Sequence, residues 1–362
     1  MKRRILTIIT ILTMLSVTSC GMHKPKKYQA SFLILFNTVT EIVAYSDSEE
    51  DFKEFSQLIY DNLKEYHELY DKYDLYEGVN NIKTINDNAG IAPVKVDQRI
   101  LDLLLFSKEM YQLTDGTVNI ALGPVLEIWH DYRTAGIDDP ANAKLPPMED
   151  LIKADAYTDI DKLIIDEENS SVYLPEEHMS LDVGAIAKGY ATEQVARIAM
   201  EQGYSDFLLS VGGNTRAAGT KGEDKELWSV GIQNPDKTSE QTSIHTMGLT
   251  DMSLVASGNY ERYYTVDGKI YHHIIDPKTL MPSEYFTAVS ILCEDSGRAD
   301  ALSTAIYNMP FKKGKAFIES LPDAEAMWIL PDGEIRYSEH FPDYIKEKLE
   351  EGYLSFPLLF AI

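Results

Sequence analysis

The feature that most constrains the fold of this chain is the way its short apolar runs and its helical patterns fail to alternate. β-rich runs at Asp206–Val211, Trp228–Ile232, Leu254–Ala256, Ile270–Ile275, Phe286–Leu292 and Ala326–Leu330 follow one another, with a helical pattern among them only near Arg298–Asn308. Earlier, Ser31 to Tyr45 reads as one strand ending at Ser46-Asp47-Ser48. Asp51–Tyr70 then sets Phe52, Phe55, Leu58, Ile59, Leu63 and Tyr66 at helical spacing, and Gln98–Leu113 repeats the pattern. Short β-like runs at Lys162–Ile165 and Val172–Leu174 precede a further helix near Ala187–Gln202. A doubly wound sheet needs strict alternation, so the expected class is α+β.

No Pro/Gly/Ser-rich linker, repeat or charge block follows Ala30, and residues 31–362 are expected to form a single domain. The amino end is different. Lys2, Arg3 and Arg4 precede an apolar run from Ile5 to Val17, then Thr18, Ser19 and Cys20. That pattern reads as a bacterial lipoprotein signal over 1–19, with Cys20 as the lipidated residue and 20–30 as a tether; a non-lipidated signal peptide or an uncleaved anchor is the alternative. A run this short falls below the roughly 20 apolar residues a spanning helix needs. The expected location is the extracytoplasmic face of the membrane, held by a lipid anchor.

Composition narrows the function. With 44% hydrophobic and 25% charged residues the chain is a folded one, not a disordered one. A net charge of −25 repels nucleic-acid backbones and anionic membrane surfaces. Any phosphate must therefore be held locally by a metal, a helix end or a single lysine. The 2 cysteines make neither a disulfide framework nor a zinc site, and Cys293, inside an apolar stretch, reads as a core residue.

Several blocks carry chemistry. In Ser180–Glu193 a short strand brings Asp182 to a small-residue turn at Gly184 and Ala185, and a helix then starts with Lys188 and Gly189. Helix-start N–H groups and a lysine suit an anion, but the same spacing serves a plain strand-to-helix turn with a solvated lysine. Asp300 and Thr304 stand at i, i+4 on one helical face, which suits Mg²⁺ by its oxygen preference and equally suits a helix-start Asp beside a packing Thr. His272 and His273 end a β run, and adjacent strand residues face opposite sides, so at most one enters a given cleft. Either is a proton acceptor or a structural histidine.

Taken in order, Thr38-Val-Thr-Glu-Ile42, Asn86, Thr114-Asp-Gly116 with Gly123-Pro124 and Trp129, Leu181-Asp-Val-Gly-Ala-Ile-Ala-Lys-Gly-Tyr190, Val211-Gly-Gly-Asn214, Ser257-Gly-Asn-Tyr-Glu-Arg262, His273-Ile-Ile-Asp-Pro-Lys-Thr279 and Ala299-Asp-Ala-Leu-Ser-Thr304 resemble the ApbE family of FAD:protein FMN transferases. The resemblance covers essentially the whole chain after the signal segment. It implies an α+β, T-fold-like core of mainly antiparallel sheet packed with helices. It also implies Mg²⁺-dependent transfer of FMN from FAD to a Ser or Thr hydroxyl of an acceptor protein, with AMP released, the acceptors being exported or membrane redox subunits. An FAD pyrophosphatase and a flavin-binding lipoprotein without turnover are the alternatives.

Residue by residue, the resemblance places Asp182 and Lys188 at flavin-nucleotide contacts and the Ala185 carbonyl, Asp300 and Thr304 at the metal, with Ser303 beside them. Thr117, Val118 and Asn119 match the segment along the nucleotide, Tyr73 an aromatic near it, and His273-Ile274 the strand beside it. His273 is the candidate general base and Asp300 the second catalytic residue. Three positions depart from the pattern: Phe36-Asn37-Thr38 stands where Met-Gly-Thr is usual, so Phe36 becomes the flavin contact there; Asn119 replaces Asp; Leu280 replaces Gly.

Overall fold

The computed structural model describes residues 24–222 and 225–346; the segment read as a signal and the expected lipidation site Cys20 lie outside them. Helices run over Glu49–Tyr70 (α1), Ile82–Asp87 (α2), Gln98–Leu113 (α3), Gly123–Asp138 (α4), Met148–Asp155 (α5), Ala187–Glu201 (α6), Ser296–Tyr307 (α7) and Phe311–Glu319 (α8). The main sheet has the strands Lys26–Leu33 (β1), Val39–Ser46 (β2), Phe207–Val211 (β3), Asn214–Ala218 (β4), Ser253–Gly258 (β5), Ala288–Cys293 (β6), Ala324–Ile329 (β7) and Ile335–Tyr337 (β8). Their order in space is their order in the chain, and every neighbouring pair is antiparallel. The α+β class read from the sequence therefore holds. The long excursion between β2 and β3 carries α1 to α6, and the one between β6 and β7 carries α7 and α8.

Side-chain alternation gives the sheet two covered faces. Ile42 of β2 and Phe207, Leu209 and Val211 of β3 pack with Phe55, Ile59 and Leu63 of α1 and Val195 and Ala199 of α6. Val43 and Leu208, one residue out of step, face the hairpin Trp228–Gln233/Ser243–Leu249 through Trp228, Val230 and Leu249. Strand β6 is buried along its whole length because α7 covers one face and the other packs with Met327 and Ile329. Cys293 closes this strand, free and buried, and burial pushes its thiol up to about 12, as suits a core residue.

Local chemistry explains the helix starts. Ser48 caps α1 by accepting from Asp51 N, with Glu49, Glu50 and Asp51 in the first turn. Asp295 does the same for α7 through Arg298 N at 2.8 Å.

The single strand expected over Ser31–Tyr45 is corrected to two. β1 and β2 pair antiparallel with Leu33 opposite Val39, joined by a short 3₁₀ turn at Leu35–Asn37. Ile34 (φ 123°), Phe36 (φ 54°) and Asn37 (φ 52°) make the reversal with left-handed backbone and no glycine, which removed its usual sequence signal. β1 begins at Lys26, inside the span read as a tether. The run Ile270–Ile275 also divides, into the ends of two hairpins at Lys269–His272 and Ile275–Asp276.

Candidate active site

The short strand expected to carry Asp182 does not form; the segment before α6 is an extended loop pinned from both sides. Asn86 of α2 accepts from Leu181 N at 2.7 Å and donates to Leu181 O at 3.0 Å, while Asp182 N donates to Ile120 O at 2.8 Å. Ile186 N and Ala187 N both turn back to Val183 O, which starts the helix and places Lys188 in its first turn. α7 crosses α6 closely. Glu193 of α6, buried, accepts from Ser296 N at 3.0 Å and from Arg216 Nε of β4 at 3.1 Å, so helix, helix and sheet share one carboxylate.

Between this corner, the β1–β2 turn and the hairpins after β5 lies a cleft of about 400 Å³. Ala185, Lys188, Asp300 and Thr304 line it together, as do Asp182, His273 and Ile274. Phe36, Tyr73, Thr117, Val118 and Asn119 line it as well. Ser303 alone of the sequence candidates does not. It is fully buried one turn along α7, its Oγ 2.8 Å from Ser257 Oγ and donating to Asp300 O at 2.8 Å. The side chain is held against β5 by Ser257 and by its own helix backbone.

Asp300 Oδ2 accepts from Gly189 N at 2.8 Å and stands 3.8 Å from Lys188 Nζ. Burial pushes its carboxyl up, opposed by the Lys188 charge and the Gly189 N–H. Asp182 has the reverse balance: burial raises it, but Lys72 Nζ at 2.7 Å and Gly184 N at 2.9 Å together hold it below the ordinary carboxylate range. Lys72 is absent from the sequence reading; no periodicity or spacing links it to a residue so distant in the chain. Asn119 is held by backbone on both sides, donating to Thr158 O beyond α5 at 2.8 Å and accepting from Ala121 N at 2.9 Å.

His273 N donates to Arg262 O, and its Nδ1 lies 3.2 Å from the same carbonyl. A carbonyl only accepts, so Nδ1 carries the proton and Nε2 is the acceptor of the ring. Burial and the cations Arg262 and Arg133 hold its pKa down to about 3. His272, on the other side, is buried against Ser283 O, which accounts for the pair: one histidine enters the cleft and one is structural. Arg133 of α4 and Arg262 also line the cleft, and neither has a carboxylate partner within ion-pair distance among the described residues.

Two of the departures share a cause. Asn37 (φ 52°) and Leu280 (φ 60°) hold left-handed backbone at the positions where the family pattern has glycine, so the chain keeps the turn and changes the residue. The Leu280 turn is held by its carbonyl, which accepts from the Trp129 indole at 2.9 Å, and by its N–H to Asp276 O at 2.8 Å.

The comparisons with known proteins agree with one another. A protein of Treponema pallidum (strain Nichols) named FAD:protein FMN transferase is 29% identical over 353 residues, covering 93% of this chain and 94% of the relative. One from Klebsiella pneumoniae (strain 342) with the same name is 30% identical over 275 residues, 75% of this chain and 81% of its own length. The crystal structure of the ApbE protein of Thermotoga maritima superimposes with a TM-score of 0.77 at 28% identity, over 89% of this chain and 100% of that one. The apo flavinyl transferase ApbE of Pseudomonas stutzeri, at 21% identity, shares the fold with a TM-score of 0.74. The sequence pattern of the ApbE family matches residues 36–328, and the chain belongs to that family.

Proposed function

We propose that the protein is an FAD:protein FMN transferase, which moves FMN from FAD to a Ser or Thr hydroxyl of an acceptor protein and releases AMP. The observation that carries this reading is the convergence of Lys188, Asp300 and Thr304, from two crossed helices, with Ala185 of the turn before α6, in one cleft of a chain similar over most of its length to curated transferases of that name. In the reaction the acceptor oxygen bonds to the phosphorus on the FMN side, the bond from that phosphorus to the bridging oxygen breaks, and AMP leaves with that oxygen. Positioning and electrostatics dominate such transfers. Lys188 neutralises charge on the diphosphate, and the acceptor proton passes to Nε2 of His273.

Mg²⁺ fits the donor set. One carboxylate (Asp300), one hydroxyl (Thr304) and one carbonyl (Ala185) line a single cleft, and hard oxygens are what that ion takes, with phosphate completing its shell. No group of three or more His, Cys, Asp or Glu gathers among the described residues, so one carboxylate must serve. A magnesium ion held there supplies charge neutralisation at the diphosphate.

We place the protein on the extracytoplasmic face of the membrane, anchored by lipid on Cys20. The basic, apolar and small-residue sequence from Lys2 to Cys20 supports this. No helix of the described residues is long and apolar enough to cross a membrane. The acceptors are then exported or membrane redox subunits. The test uses such an acceptor and its Ser- or Thr-to-Ala variant with FAD and Mg²⁺. Transfer predicts an FMN mass gain on the first and a strong fall in AMP release with the second. Equal AMP release with both would establish hydrolysis instead.

A further inference from the structure

The turn between β1 and β2 enters the cleft as a strained element. Phe36, an aromatic residue at φ 54°, holds a conformation that glycine adopts freely and L side chains do not. Its N–H donates to Nδ1 of His67 at 3.3 Å, and the two rings meet edge to face with centroids 5.5 Å apart. Because Nδ1 accepts, the ring proton sits on Nε2, which lies 3.4 Å from the Tyr76 hydroxyl. That hydroxyl donates to Asp71 Oδ2 at 2.7 Å, and Asp71 Oδ1 accepts from Tyr73 N at 2.7 Å.

One imidazole near the end of α1 thus joins two walls of the cleft that are far apart in sequence. Phe36, Asn37 and Thr38 line one of them, and Asp71, Lys72 and Tyr73 line the other. Burial holds His67 below its ordinary value against the pull of Asp71, Glu68 and Asp74, so the ring is neutral at pH 7 and Nδ1 keeps its lone pair. The hydrogen bond gives the left-handed turn a partner that no residue of its own strand supplies. The walls so joined carry the aromatic rings of Phe36 and Tyr73, whereas Lys188, Asp300 and Thr304 are the groups suited to a diphosphate.

We infer that His67 is a positioning residue, which fixes the Phe36 turn against the Asp71–Tyr73 loop and so shapes the part of the cleft that receives the flavin ring. This rests on the reading of FAD as substrate. The test is a titration of the full chain with FMN, followed by flavin fluorescence, and with ADP, followed by calorimetry. For His67→Leu the expected result is FMN binding weaker by about tenfold, the scale of one lost hydrogen bond and an N–H left without a partner, with ADP binding unchanged as the control for folding. His67→Asn, whose amide oxygen stands where Nδ1 does, restores FMN affinity, and His67→Gln, which reaches only the Nε2 end, does not. The Asn and Gln pair asks the same question if the Leu variant fails to fold. Equal affinities across these variants, or an equal loss for FMN and ADP, would overturn the inference while leaving the transferase reading intact. A wild-type protein that binds neither FAD nor FMN would remove both.

Discussion

The backbone N–H of Gly189 donates to Oδ2 of Asp300 at 2.8 Å, and the same glycine has no room for a side chain: a Cβ there would stand 2.3 Å from the Ser296 carbonyl oxygen and 2.5 Å from Asp300 Cβ. The contact sets both the spacing of α6 and α7 and the direction of the carboxylate. Gly189→Ala has to push the helices apart against backbone, at a cost of about 1–3 kcal/mol. FMN transfer should fall further than stability does, because Asp300 moves, together with Thr304, away from Lys188 and Ala185. A urea midpoint and transfer rate both equal to wild type would contradict this account.

Asp300→Asn keeps the shape and removes the charge. With a single carboxylate among the expected metal donors, transfer should drop about 10²-fold or more, and the Mg²⁺ concentration for half-maximal rate should rise. FAD binding should persist through Lys188 and the cleft walls. Initial rates across a Mg²⁺ series measure both effects; undiminished transfer in excess EDTA would refute the metal role.

How far the sequence reveals the site depends on how each residue is supported. Asp300 and Thr304 are one turn apart on one helix, and Asp182, Ala185 and Lys188 lie on one loop-to-helix corner, so local spacing already groups them. Helix α3 is legible to its last residue because its apolar period is unbroken. Lys72, His67 and Arg133 reach the cleft from the loop beyond α1, from α1 itself and from α4, and only tertiary packing brings them to Asp182, Phe36 and His273. Strand β4 and the β1–β2 reversal were hidden for a different reason. The first carries Asn, Thr and Arg in place of an apolar run, and the second turns on Ile, Phe and Asn where turn residues are expected. Ser303 shows the limit of matching by motif, since its neighbours on the helix face the cleft and it does not.

Lys72 and Asp182 form an ion pair at 2.7 Å with each side chain only 16% exposed. Lys72→Met leaves the carboxylate buried with the Gly184 N–H as its remaining donor, a loss of about 3 kcal/mol at pH 7. The sign of the pH dependence follows. The wild-type carboxyl is held below its unfolded value, so its contribution is present above that value and is lost as pH falls through the folded one. Without Lys72 the carboxyl protonates at higher pH and becomes neutral, so the stability gap between variant and wild type should narrow on acidification. Chemical denaturation at a series of pH values measures it, and a gap constant with pH would exclude the ion pair as its source.

His273 provides the last prediction. Burial and the charges of Arg262 and Arg133 hold it down to about 3, so at neutral pH its Nε2 is free to accept a proton before substrate binds. Since kcat/KM reports the free enzyme, its dependence on pH for FAD should show no half-loss near the ordinary histidine value of about 6.5. Stability behaves differently. Below about 6.5 the unfolded chain takes up a proton on this residue and the folded one does not until near 3. The residue therefore destabilises the folded state progressively as pH falls across that window. His273→Gln should flatten the decline in unfolding free energy between those values while reducing transfer at every pH. An acid limb in kcat/KM centred near 6.5 that disappears in His273→Gln would mean that this histidine titrates normally and that its surroundings do not hold the proton off.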